Sequence, residues 1–203
     1  HFKKVFTWRD DIVDNKKIFK FFLPNRIPDS VTFDMQEKKK FCCLIAGNKK
    51  NYHPFELYSE RIRAIRWFEK NQPANFDLYG KGWDLSLPPF MRSLKPVLQP
   101  IYTVFFPQYS SYRGKITSKR EILKQYKFSI CYENARDFPG YITEKLFDCF
   151  FAGCIPIYLG APNITDYIPE DSFIDKRKFP DYSALFNYLN AMPEEEYLDY
   201  VHA

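Results

Sequence analysis

Short apolar runs that close on glycine or a polar turn, separated by stretches of helical spacing, dominate the pattern of this chain. The run Phe41-Cys42-Cys43-Leu44-Ile45-Ala46 is continuous and ends at Gly47-Asn48, as a strand covered on both faces does, and this implies a parallel sheet. Beyond a polar loop, Leu57, Ile62, Ile65 and Phe68 recur at near-helical intervals with Arg61, Arg63 and Arg66 among them, so a helix is predicted over 55–70. FDLYG at 76–80 is a further short strand closing on glycine. Residues 84–115 carry Pro88, Pro89, Pro96, Pro100 and Pro107 among apolar and aromatic residues and read as a long irregular connection. Ser118 is placed to cap a helix in KREILKQYK, and KFSICYEN at 127–134 follows as a strand. The loop ARDFPGYI, a helix in TEKLFDCFFAG, a strand in CIPIYLG, a short helix near 163–168, a strand SFID and a helical pair over about 181–202 complete the order. Upstream, VFTW at 5–8 and IFKFFLP at 18–24 read as two strands, or as a strand and an irregular segment.

Strands alternating with helices build an open parallel sheet through right-handed crossovers, with ligands at the carboxyl ends of the strands. The fold class predicted is therefore α/β. With 203 residues the chain has room for one domain and a small appendage. A hydrophobic content of 45% with 19% aromatics excludes a disordered, collagenous or coiled-coil chain. The formal charge of +5 favours phosphorylated ligands or anionic surfaces without naming one. A nucleic-acid-binding face would interleave Lys and Arg with aromatics on an exposed strand, whereas here the aromatics lie in apolar strands and the charge is dispersed, so no nucleic-acid partner is expected.

The five cysteines, Cys42, Cys43, Cys131, Cys149 and Cys154, all sit in apolar stretches and read as packing residues of a reduced compartment. No C-x-x-C pair occurs and His1, His53 and His202 are remote from the cysteines, so zinc-ligand spacing is missing and no metal site is expected. The phosphate loop G-x-x-x-x-G-K-[ST], the dinucleotide fingerprint G-x-G-x-x-G after a strand, the nucleophile elbow G-x-S-x-G and any D-x-D are all absent. A bound diphosphate would have to be neutralised by Lys, Arg and helix dipoles. One sequon, Asn163-Ile164-Thr165, is too short a pattern to argue for secretion.

If 127–134 is a parallel strand, Glu133, Asn134 and the loop to Tyr141 stand at its carboxyl end, and Thr143-Glu144-Lys145 opens the next helix. The free N–H groups of a first helical turn stabilise an anion, and Lys145 adds a full charge. Glu144 suits the two hydroxyls of a ribose, and Tyr141 suits the face of a base or sugar. The same residues also read blandly: Thr-Glu-Lys as a cap, a dipole-matched acid and a solvated lysine, Arg61 as a solvated arginine on a polar helical face, and Asn134 as a turn former.

The run from Tyr126 to Asp175, YKFSICYENARDFPGYITEKLFDCFFAGCIPIYLGAPNITDYIPEDSFID, closely resembles the donor-binding motif of the α-1,3/4-fucosyltransferases. FTWRDDIVDNKKIFKFFLP, FCCLIAGN, ELYSERIRAIRWFE and FDLYGKGW resemble earlier pieces of that family in the same order. The resemblance implies a Rossmann-like parallel sheet with flanking helices, the donor-binding half of a GT-B glycosyltransferase, at 36–203, with 1–35 as a linking segment from an N-terminal acceptor domain. It implies inverting transfer of fucose from GDP-fucose to an acceptor glycan, with no obligatory metal or other cofactor. It assigns Arg61 and Lys145 to the β-phosphate, Glu144 and Tyr141 to the ribose and nucleotide, and Asn134 to the same site. The family's general base, a glutamate, is expected upstream of His1. Glu133 is the one carboxylate at the strand end that could replace it, and a structural role suits it better. A non-catalytic nucleotide-sugar-binding module, or an inactive fragment of such an enzyme, is the alternative. The location implied is cytoplasmic or membrane-peripheral, or the Golgi lumen if an anchor lies upstream.

Overall fold

A computed structural model describes residues 2–23, 25, 27–83 and 109–203 of the chain. Two short strands, β1 (Val5–Thr7) and β2 (Ile18–Lys20), pair in parallel across a 3-10 turn at Asp10–Ile12. The Asp14 carboxylate accepts the backbone N–H groups of Lys16, Lys17 and Ile18, which closes the bend where Asn15 takes a positive φ of 56°.

The main sheet has five strands, β3 (Lys40–Ile45), β4 (Phe76–Tyr79), β5 (Tyr126–Tyr132), β6 (Ile155–Leu159) and β7 (Ile174–Asp175), all parallel in the order β4-β3-β5-β6-β7. The α-helices among the described residues are α1 (Tyr58–Asn71), α2 (Lys119–Leu123), α3 (Glu144–Phe150), α4 (Tyr182–Ala191) and α5 (Glu194–His202). Successive side chains of a strand point to opposite faces, and both faces here are covered. Cys42, Leu44, Phe128, Ile130 and Tyr132 pack with Ile65 and Phe68 of α1, Leu185 of α4 and Tyr197 of α5. Cys43, Tyr126 and Cys131 pack on the other side with Leu123 of α2 and Cys149 of α3. The result is a three-layer α/β/α arrangement, the parallel α/β class that the apolar runs predict and the Rossmann-like form that the resemblance implies.

Several boundaries differ from the expected ones for identifiable reasons. The turn near 163–168 is a 3-10 helix of three residues, Ile164–Asp166. SFID contributes only Ile174–Asp175 to the sheet, because Ser172 belongs to a 3-10 turn whose hydroxyl donates to the Pro169 carbonyl. Of the irregular connection expected over 84–115, residues 84–108 lie outside the described residues. The part that follows runs along the free edge of β4, with Leu78 N donating to Ser111 O at 2.8 Å and Arg113 N to Leu78 O at 2.9 Å. The segment before β3 packs on the domain: Trp8 lies 4.6 Å from Tyr141 between ring centroids, and Phe33 lies against Tyr197.

Two outcomes test this packing. Phe68 is fully buried and stacks on Phe76 at 4.8 Å, so Phe68→Ala is expected to cost about 3–5 kcal/mol in chemical denaturation. All five thiols are free and buried, and burial raises the pKa of Cys42, Cys43 and Cys154. A chromogenic disulfide reagent is therefore expected to react with none of the thiols in the native protein at neutral pH and with all of them after denaturation.

Candidate functional site

The strand order reverses at β3. The chain leaves β3 for β4 on one side, then returns to place β5 on the other, so the connections that follow β3 and β5 diverge and leave a crevice at their carboxyl ends. A cleft of about 520 Å³ occupies that crevice. Its floor is backbone from Ile45 to Gly47 and at Gly80, and its walls come from α1, α2 and α3. Gly80 is required for the floor: at φ 131° a Cβ there would lie 1.9 Å from the Ala46 carbonyl oxygen.

Arg61, Asn134, Glu144 and Lys145 all line this cleft. Arg61 is not solvated, contrary to the reading of its helix as a polar face. It is 4% exposed, because α1 turns this position under the end of β5. Its Nη2 donates to the carbonyls of Tyr132 at 2.7 Å and Glu133 at 2.8 Å and to Asn134 Oδ1 at 3.1 Å. Burial lowers the guanidinium pKa, opposed by Tyr58 and Glu133, and the Tyr58 ring lies 5.0 Å from its Cζ. Arg63 and Arg66 instead extend outward beside Glu60 and Glu69. Packing thus separates three arginines that look alike in the sequence.

Thr143 precedes α3 but does not cap it. Its hydroxyl donates to Glu133 Oε2 at 2.7 Å and its backbone N–H to Glu133 Oε1 at 2.8 Å. Lys145 Nζ donates to the same Glu133 Oε2 at 3.0 Å and to the Thr143 hydroxyl at 2.8 Å. The bland reading of Thr-Glu-Lys as a cap and a solvated lysine therefore fails for both residues, while Glu144 stays open, its side chain 51% exposed. Burial opposes the Glu144 charge, but Lys145 and Lys119 outweigh it and hold the pKa below the ordinary carboxylate value. Tyr141 stands behind Asn134, whose Nδ2 lies 3.3 Å from its hydroxyl, and its ring packs on Trp8.

Lys49, Lys81, Lys115 and Lys119 also line the cleft, so six cationic side chains face one carboxylate among its described residues. They escaped notice as single surface lysines. The signal that finds them is position: Lys49 lies two residues after Gly47, which closes β3, Lys81 directly follows Gly80, which closes β4, and Lys115 follows Gly114. Such a cleft can take a polyanion with hydroxyl-bearing parts near Glu144. Among the described residues no group of three or more His, Cys, Asp or Glu side chains is disposed to hold a metal ion. No helix of the described residues is long and apolar enough to cross a membrane.

A Rossmann-like domain with a cationic cleft at the switch point of its sheet defines the class. The chain belongs to the family described as glycosyltransferase family 10 (fucosyltransferase) C-terminal domains, whose sequence profile matches residues 35–202. It is 35% identical over 86 residues to an α-(1,3)-fucosyltransferase of Helicobacter pylori, covering 41% of this chain and 18% of that protein. It is 43% identical over 77 residues to α-(1,3)-fucosyltransferase B of Drosophila melanogaster, covering 37% of this chain and 17% of the relative. A crystal structure of an α1,3-fucosyltransferase with GDP-fucose superposes with a TM-score of 0.57 at 22% identity, over 84% of this chain and 40% of that one, and so shares the fold. The chain thus spans well under half the length of each of these three proteins.

Because Arg61 serves three buried oxygens and Arg63 none, the two should separate by stability. Arg61→Ala is expected to lose about 2–4 kcal/mol in denaturant titration, and Arg63→Ala to stay within about 0.5 kcal/mol of the parent.

Proposed function

We propose that this chain forms the GDP-fucose site of an inverting α-1,3/4-fucosyltransferase that transfers fucose to a hydroxyl of an acceptor glycan. The observation that carries the reading is the convergence of Arg61, Asn134, Glu144 and Lys145 on one cationic cleft at the switch point of a family 10 domain. Arg61 and Lys145 meet the diphosphate, and Glu144 accepts from the ribose hydroxyls. Asn134, held between Arg61 and Tyr141, fixes the wall on which the nucleotide lies. As the acceptor oxygen attacks C1 of fucose and the bond to the β-phosphate oxygen breaks, charge develops on GDP. Cations fixed before the reaction stabilise that charge without reorganising.

The proton of the acceptor hydroxyl needs a base. Glu133 is unsuited to that task, since it is 0% exposed and both of its oxygens are engaged. The base in this proposal is a carboxylate of the acceptor-binding part of the enzyme, to which residues 1–35 connect.

Calorimetric titration with GDP tests the reading. The chain is expected to bind GDP, and Lys145→Ala or Glu144→Ala to weaken binding about tenfold or more, equivalent to about 1.4 kcal/mol. The Lys145→Ala loss is expected to change little as salt rises, since a mostly buried charge is screened far less than an exposed one. A folded chain without affinity for GDP would overturn the proposal.

A further inference from the structure

We infer that Glu133 is a positioning residue that sets two of the cationic groups of the nucleotide cleft, through its side chain for Lys145 and through its backbone for Arg61. The inference deepens the proposed function and rests on it. Glu133 is wholly buried at the end of β5, beneath the cleft, and its carboxylate takes three donors: the Thr143 amide, the Thr143 hydroxyl and the Lys145 ammonium. Its carbonyl accepts from Arg61 Nη2 at 2.8 Å. Lys145 retains 19% of its side-chain exposure, so the ammonium is gripped from below and open toward the cleft.

The packing around Glu133 is specific to this arrangement. A methyl group at Gly160 would fall 2.6 Å from Glu133 Cγ and 2.5 Å from the Tyr158 hydroxyl, so the bare glycine after β6 makes room for the carboxylate side chain. The Glu133 amide donates to the Leu159 carbonyl at 2.8 Å and ties the residue to β6. A long lysine side chain loses rotamer freedom when it is fixed. Glu133 and Thr143 impose that loss in the unliganded protein, so a phosphate group meets an ammonium already in place. The same ion pair fastens the start of α3 to the end of β5 and fixes the distance between the two cationic groups.

A ligand-free measurement and a binding cycle test this together. In competitive acetylation by acetic anhydride, read by mass spectrometry, Lys145 of the parent is expected to react slowly relative to surface lysines. Glu133→Gln is expected to raise its reactivity about fivefold or more, because in the parent the Lys145 nitrogen is held by Glu133 Oε2 and the Thr143 hydroxyl and has to leave both to reach the reagent. In GDP titrations, Glu133→Gln is expected to weaken binding about tenfold, yet to add less than about twofold when Lys145 is already Met, since residues acting through one another are non-additive. Unchanged Lys145 reactivity, or losses that multiply in the double variant, would overturn the inference. If Glu133→Gln fails to fold, Thr143→Val removes the bridging hydroxyl and leaves the amide bond intact; it is expected to raise Lys145 reactivity and to lose its effect on GDP in the Lys145→Met background. A parent chain that binds no GDP but shows the acetylation contrast would refute the proposed function and leave the positioning of Lys145 standing.

Discussion

A parallel strand buried on both faces delivers its chain at the same edge as its neighbours, and in this molecule that edge is where β5 stops. Tyr132 is the last strand residue; the Glu133 amide still donates to Leu159 of β6, while the Glu133 carbonyl and the side chains of Glu133 and Asn134 turn to partners outside the sheet. Arg61 reaches under that end from α1, and Lys145 reaches it from α3. Two helices from opposite faces of the sheet are thereby tied to a single point. The cleft, its charge and the placement of Glu144 all follow from where this strand terminates.

Burying charge is expensive unless each ion is hydrogen-bonded and paired. Arg61 is compensated mainly by carbonyl oxygens, which attract its charge without cancelling it. Lys145 is compensated by a carboxylate. The cleft therefore holds one cation whose charge remains uncancelled and one whose charge is shared with its support, and the exposed lysines around the rim add a softer, screened field. The contrast separates an orienting role from an attracting one within a single site.

Most of the architecture was legible because continuous apolar runs such as FCCLIA can be satisfied only by a sheet covered on both sides, and Cys42 and Cys43 do face different layers. The resemblance of Tyr126–Asp175 pointed to Asn134, Tyr141, Glu144 and Lys145 and that of ELYSERIRAIRWFE to Arg61; all of these line the cleft except Tyr141, which lies behind Asn134. Illegible were the facts that depend on rotation about α1 and on long-range partners. No local pattern tells that Arg61 turns inward while Arg63 turns out, or that Thr143, at the N-cap position, gives its hydroxyl to Glu133 rather than to the helix. The rim lysines were missed because a cationic cleft assembled from four connections has no contiguous motif.

Asn163, the first residue of the one sequon, sits at a junction. Its Oδ1 accepts from the Gly140 amide at 2.9 Å, and its Nδ2 donates to Asp10 and Asp166 at 3.0 Å each. One amide group thus latches the N-terminal segment, the loop after β5 and the turn after β6 together. An oligosaccharide attached at Nδ2 would remove one of those two amide hydrogens and wedge bulk between the two aspartates. Any copy of this chain made in a glycosylating compartment has to close this corner before the sugar arrives, or lose the latch; the order of folding and modification is written into a single asparagine.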